Sequence, residues 1–188
     1  MDWKWDRIKD YVECRMSKTR FKHVLGVVET AEMLAERHDV NVDDAKLSAL
    51  AHDVAKEQPL KQTAACLRLV GEENYLKYSE KVWHAPMGAI VAEKVFGIEN
   101  KDILNAIKYH TTGRSEMTKL EKVIFVADYT ELNRTFESCI RIREFWDDLD
   151  KAVYEILKQK LDKVTVLGSS LHPDTLEAYE YYKKLVAD

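Results

Sequence analysis

Apolar residues return every three or four positions along almost the whole of this 188-residue chain, and only six glycines and three prolines interrupt them. A repeat near 3.6 gathers such residues on one face of a helix, so the chain is constrained to a stack of amphipathic helices. A β-rich fold would need more turn formers. Trp5, Ile8 and Val12 predict a short first helix. Ser17 can cap a longer one carrying Phe21, Val24, Leu25, Val28, Ala31, Leu34 and Ala35. Asn41 or Asp43 can cap the next, whose buried face holds Leu47, Leu50, Ala51 and Val54. Pro59 suits the first turn of a helix through Leu67 and Val70, closed by Gly71. Residues 72–82 are the least regular stretch, long enough for a substrate-covering loop, with a short helix over 74–78 as the plainer alternative. Beyond Pro86, the face Ala89, Ile90, Ala92, Val95 and Phe96 predicts a helix with His84 at its entrance and Gly97 at its end. His110 continues the stripe Ile103, Leu104, Ile107, which Gly113 stops; Asp128 continues Leu120, Val123, Ile124, Ala127. Packing helices are expected over 140–146, 149–161 and 173–186, with a link at 164–170. The chain shows no repeat and no domain boundary, which predicts one all-α domain.

Within that pattern stands an adjacent imidazole and carboxylate, His52-Asp53. Neighbouring helical side chains diverge by about 100°, so both can enter one pocket only from a corner of a helix facing the core. That geometry suits a metal site. His23, His84, His110 and Asp128 lie on separate segments, each beside or inside an apolar stripe, and a helical bundle can bring them to one point. Two buried carboxylates among imidazoles repel one another unless a cation lies between them.

Composition narrows the chemistry. A formal charge of −4 offers no basic excess for a nucleic-acid backbone, so no nucleic-acid partner is expected and an anionic substrate has to meet local cations or a metal. Cys14, Cys66 and Cys139 form no C-x-x-C pair and are odd in number, which points away from thiolate zinc and disulfide frameworks and toward a cytoplasmic location. No signal core or membrane-spanning run is visible, so no membrane partner is expected.

Each residue has a plainer reading. A lone His84 or His110 on an apolar stripe is more often a hydrogen-bonded core residue. His38, beside Arg37, suits a helix C-terminus. His172, before Pro173-Asp174-Thr175, is either a helix-start turn or a substrate contact. Lys56 is a solvated lysine by default, and its place one turn beyond His52-Asp53 makes a phosphate contact the competing reading.

The ordered set His23, His52-Asp53, Asp128 resembles the H…HD…D signature of the HD-domain metal-dependent phosphohydrolases, a helical superfamily. More narrowly, the chain resembles the bacterial YqeK family of symmetrical bis(5′-nucleosyl)-tetraphosphatases, which cut diadenosine tetraphosphate into two ADP. The matching pieces are Arg20-Phe21-Lys22-His23, residues 49–56, His84-Ala85-Pro86-Met87-Gly88-Ala89, and Tyr109-His110-Thr111-Thr112-Gly113. They continue through residues 117–134 and end with Leu171-His172-Pro173-Asp174-Thr175-Leu176. Two positions depart from the family pattern: Ala51 where a leucine is common, and Leu132 where a proline is common. Neither is a candidate ligand.

The resemblance implies an HD-domain helical bundle with the metal site in its core, spanning 1–188, with the motifs in roughly 17–135 and packing helices in roughly 138–188. It implies that His23, His52, Asp53 and Asp128 hold a divalent metal, iron first, with manganese, cobalt or zinc compatible with imidazole and carboxylate donors. His84 and His110 would complete a second metal position or bind phosphate. Asp53, Asp128 and Lys56 would be the catalytic residues. Arg20, Lys56 and Arg134 would meet the polyphosphate, Arg134 bidentately. Thr111, Thr112 and Gly113 would bring hydroxyls and backbone N–H groups to it, and His172 and Thr175 would contact the nucleotide. The implied partner is a dinucleoside polyphosphate, and a homodimer is the family expectation. Two other readings stand beside this one: an HD phosphohydrolase acting on a nucleoside monophosphate, triphosphate or cyclic nucleotide, and a nucleotide-sensing module without turnover.

Overall fold

The computed structural model describes residues 5–167 and 171–187, and among these it contains ten α-helices and no strand. They are α1 (Trp5–Glu13), α2 (Lys18–Arg37), α3 (Val42–Ala51), α4 (Leu60–Leu69), α5 (His84–Lys94), α6 (Lys101–Tyr109), α7 (Lys119–Thr130), α8 (Glu137–Arg143), α9 (Leu149–Leu167) and α10 (Pro173–Leu185). Helices α2, α3, α6 and α7 pack on one another around the core, with α5 against α6 and α9 holding α7 on one side and α10 on the other.

Local signals start and stop several of these helices, while α8 begins and ends three residues earlier than the expected 140–146. Ser17 caps α2, its hydroxyl accepting from the Arg20 amide, and the same residue is clamped by Glu57 through backbone N–H and hydroxyl at 2.6 and 2.8 Å. Glu57 thereby ties the start of the helix carrying Arg20 and His23 to the turn that follows His52-Asp53. Asn41 caps α3, and Thr118 with Glu121 forms a capping box on α7. Gly113, at φ +66°, takes the left-handed conformation that ends the α6 turn, its N–H donating to the Tyr109 carbonyl.

The apolar faces are buried as their periodicity requires: Phe21, Val24, Val28, Ala31 and Leu34 on α2, Leu120, Val123, Ile124 and Ala127 on α7. Leu25 departs from this, being exposed while Val27 takes the inner position, because Leu25 stands about 100° off the Val24–Val28–Ala31 stripe; Val95, expected on the face beyond Pro86, is exposed as well. Pro59 is the residue before α4 rather than part of its first turn. Residues 72–82 are not an open loop but two short 3₁₀ helices, Glu73–Lys77 and Glu80–Val82, the first pinned by the buried Tyr75. The expected link at 164–170 is helical as far as Leu167, since the first breaker after Leu149 is Gly168; residues 168–170 lie outside the described residues. His38 is the C-cap of α2, its Nε2 donating to the Trp146 carbonyl at 2.7 Å.

Candidate metal centre

Two histidines reach the centre by the same local device. His52 and His110 are the residues just past the last turns of α3 and α6, where helix carbonyls have lost their intrahelical donors. Each ring turns its Nδ1–H onto the carbonyl three residues back: His52 to Ala49 at 2.6 Å and His110 to Ile107 at 2.8 Å. That bond fixes the tautomer and leaves each Nε2 with a lone pair facing inward. His84, at the start of α5, and His23, in the second turn of α2, supply two more imidazoles.

Asp53 sits between them and is nearly fully buried. Its Oδ2 lies 3.5 Å from His52 Nε2 and 3.9 Å from His23 Nε2. Its Oδ1 lies 3.1 Å from His84 Nε2 and 3.7 Å from His110 Nε2. The donor atoms thus form two groups that share Asp53, one with His23 and His52 and the other with His84 and His110, each group within 4.8 Å across. Asp128 joins the first side, with Oδ1 3.1 Å from His23 Nε2 and 3.8 Å from His52 Nε2.

These spacings fit a cation. Donors about 2.1 Å from one metal ion at near right angles stand roughly 3 Å apart, and wider angles lengthen that distance. His52 Nε2 is buried without a hydrogen-bond partner, the orphaned atom a coordinating nitrogen would be once its ion is removed. No thiolate takes part, and imidazole with carboxylate suits the borderline divalent ions. Burial pulls the His84 pKa down to about 4 and lowers that of His110, so both rings are neutral and able to ligate near pH 7. Burial also works against the Asp53 carboxylate, but the charge of His52 and the imidazoles of His110 and His84 around it outweigh that and hold the group well below the usual range. Burial opposes the Asp128 carboxylate too, and His23, His52 and His110 outweigh it and lower its pKa. Burial likewise opposes a charged His52, and Asp53 with Asp128 overcomes it, so its pKa is raised.

Cations ring the cluster. Arg20 Nη1 pairs with Asp53 Oδ2 at 3.0 Å, Lys56 Nζ lies 3.3 Å from His84 Nδ1, and Arg134 Nη2 lies 3.6 Å from Asp128 Oδ1. A cavity of about 380 Å³ opens beside His23, lined by Ser17, Thr19, Arg20, Glu57, Glu131 and Arg134. A narrower groove of about 190 Å³ runs past Lys56 and His84 and is bordered by Glu80, Lys81 and Trp83. The irregular 72–82 stretch therefore does line the approach, as ordered structure. Thr111 and Thr112 carry buried hydroxyls without a partner.

His172 and Thr175 belong to a different cluster. His172 caps α10, Nδ1 accepting from the Asp174 amide, and its ring stacks on Tyr75 at 4.5 Å with Tyr78 edge-on at 4.7 Å. Thr175 is buried in the first turn of α10. This is the helix-start role that the sequence held open for His172.

Sequence reasoning missed Glu131. Its buried carboxylate faces the outer nitrogen of His23, Oε1 to Nδ1 at 3.4 Å, while Oε2 accepts from the Asn133 amide at 2.7 Å. An outer carboxylate of this kind orients a ligating imidazole and raises its basicity. The available signal was its spacing: Glu131 follows Asp128 by three residues, which puts both on one face where α7 ends. Gly26 makes the approach possible, because a Cβ there would stand 2.3 Å from Glu131 Oε2.

A helix bundle whose core is a shared cluster of four imidazoles and two carboxylates, open to solvent through a cationic rim, defines a class: an all-α protein built around a divalent-metal centre. The chain belongs to the HD domain family, whose model matches residues 20–133. It is 36% identical over 174 residues to "Bis(5′-nucleosyl)-tetraphosphatase, symmetrical" of Bacillus subtilis, covering 90% of this chain and 92% of that one. It is 34% identical over 181 residues to the protein of the same name in Staphylococcus aureus, covering 94% and 93%. The crystal structure of a predicted HD superfamily hydrolase involved in NAD metabolism from Clostridium acetobutylicum superposes with a TM-score of 0.93 at 35% identity, covering 98% of this chain and all of that one.

Proposed function

We propose that this protein is a metal-dependent hydrolase that cleaves diadenosine tetraphosphate symmetrically into two ADP. The observation that carries the reading is Asp53, whose two oxygens serve two donor groups at once inside a ring of Arg20, Lys56 and Arg134. The near full-length similarity to symmetrical tetraphosphatases supports the choice of substrate. His23, His52, Asp53 and Asp128 would hold one divalent ion, and Asp53, His84 and His110 a second; iron is the first candidate, with manganese, cobalt or zinc as alternatives. Such ions would polarise a phosphoryl oxygen and bring the pKa of a water nucleophile toward neutrality.

The chain's own residues position the substrate. Lys56, Arg20 and Arg134 neutralise the tetraphosphate, Arg20 by turning from Asp53 Oδ2 to a phosphate oxygen and Arg134 through its planar fork. The unpartnered hydroxyls of Thr111 and Thr112 offer donors to the same anion, whereas the Gly113 N–H expected beside them is committed to the Tyr109 carbonyl. Water attacks an inner phosphorus, the bridging P–O bond on its far side breaks, and each half leaves as a nucleoside diphosphate. Positioning alone selects that phosphorus. In this reading the whole chain acts as one domain, in the cytoplasm and as a homodimer. Among the described residues no helix is long and apolar enough to cross a membrane.

Product analysis tests the proposal. The metal-loaded protein in ¹⁸O-water should yield ADP as the only nucleotide product, with label on the terminal phosphate of one ADP in each pair. Equal ATP and AMP would mean asymmetric cleavage. Tight ADP binding without turnover, under every metal tried, would favour the sensor reading.

A further inference from the structure

The turn that follows α7 carries both Glu131, against the outer nitrogen of His23, and Arg134, against Asp128. A turn at a helix C-terminus begins with carbonyls that have no intrahelical donor, so its conformation is set by whatever supplies those donors. Here one side chain supplies three. Arg143 Nε donates to the Thr130 carbonyl at 2.9 Å, and its Nη2 donates to the carbonyls of Glu131 and Arg134, both at 2.7 Å. The guanidinium is rigid and planar, so three acceptors on one fork fix the relative placement of three backbone positions, and its charge complements the negative end of α7. Trp146 adds a second anchor, its indole N–H donating to the Thr130 hydroxyl at 3.1 Å. Arg143 and Trp146 both lie beyond residue 133, outside the segment that matches the HD domain model.

We propose that Arg143 is a positioning residue of the metal centre: by clamping the carbonyls of Thr130, Glu131 and Arg134 it holds the Glu131 carboxylate on His23 and the Arg134 guanidinium beside Asp128. The inference rests on the metal reading of His23, His52, Asp53 and Asp128. It adds that the packing helices after residue 137 contribute to that centre through one side chain. Glu131 is the link, since it is tied at both ends. Its carboxylate meets His23 and the Asn133 amide, and its carbonyl meets Arg143 and the Arg134 amide at 3.0 Å. Lysine at 143 would keep the charge near the helix end and lose the fork, so the conservative change separates geometry from electrostatics.

The test uses the full chain as wild type, Arg143→Lys, Arg143→Met, Glu131→Gln and the Arg143→Lys/Glu131→Gln double variant, with His52→Ala as reference. Metal retained after dialysis against a graded chelator is measured by elemental analysis, beside kcat and KM. Both Arg143 variants should release part of their metal at chelator concentrations roughly tenfold or more below those needed for wild type, as is usual when an outer-shell support is lost. Glu131→Gln should match them, and the double variant should be no worse than the stronger single one, because both act on one contact. Wild-type retention in Arg143→Lys, or effects that multiply in the double variant, would overturn the proposal. Should Arg143→Met fail to fold, shown by circular dichroism, Arg143→Lys decides alone. Metal content that is low in wild type and unchanged in His52→Ala would instead indict the metal reading itself.

Discussion

His84 Nε2 and His110 Nε2 stand 3.0 Å apart, and both face Asp53 Oδ1. His110 has already committed its N–H, at Nδ1, to the Ile107 carbonyl, so its Nε2 presents a lone pair to the second ring. Either a proton on His84 or a cation has to lie between the two nitrogens. With the His84 pKa pushed down to about 4 by burial, the ring is neutral at pH 7, where its Nε2 can ligate a divalent ion or donate a single N–H.

Because Asp53 is common to both donor groups, its loss should affect the two positions together. Asp53→Ala is expected to abolish stoichiometric metal and to lower kcat/KM by at least about a hundredfold, more than an outer-shell change produces. His110→Ala should remove about half of the metal that wild type carries if two ions bind. Full metal content in Asp53→Ala, read by elemental analysis, would falsify the shared-ligand assignment.

Lys56 and Arg134 should behave differently from the ligands. A lost charge-assisted contact is worth about 1.5–3 kcal/mol, so Lys56→Ala and Arg134→Ala should each lose roughly tenfold or more in kcat/KM while keeping their metal. Metal loss in either variant would move that residue into the coordination sphere or its support. An unchanged rate would move it to the surface.

Lys160 gives a pH dependence with a definite sign. Its Nζ donates to the Thr111 carbonyl at 2.5 Å beneath the Phe125 ring, and burial brings its pKa down to about 8. The folded value lies below that of an unfolded lysine, so between about pH 8 and 10.5 the unfolded chain binds more protons and this group's contribution to stability rises with pH. The melting temperature of wild type relative to Lys160→Met should therefore shift in favour of wild type from pH 7 to pH 10. A constant difference would show that Lys160 stays charged in the folded protein across that range.

Much of this architecture was legible as pattern. Ser17 and Asn41 cap helices because their side chains reach amides a few residues on, a purely local signal. His52, Asp53, His110 and Asp128 could be picked out because polar residues on apolar stripes have few reasons to be there. What escaped was long-range. The spacing of Glu131 three residues past Asp128 places it on the same face but does not say that its carboxylate will meet His23, 108 residues away, and nothing near Arg143 announces three carbonyls of the preceding turn. Leu25 was misassigned because a single residue of phase decides which side of a helix faces in, and periodicity averages over that difference. Such contacts depend on the crossing of α2 with α7, which the chain's pattern leaves open.

The crossing makes a last prediction, at Gly26. Replacing a helical glycine by alanine ordinarily stabilises a protein by about 0.5–1 kcal/mol. Here the new Cβ would stand 2.3 Å from Glu131 Oε2 and 2.6 Å from Asn133 Nδ2, and inserting a methyl into a filled space costs about 1–3 kcal/mol. The two effects largely offset in Gly26→Ala, so its melting temperature should change by no more than a few degrees. The relief has to come from Glu131, whose buried carboxylate must withdraw from His23. Metal retention should therefore fall toward that of Glu131→Gln while the fold persists. Unchanged metal affinity in a well-folded Gly26→Ala would show that Glu131 can move without His23 noticing, and that the close packing of α2 on this turn serves stability alone.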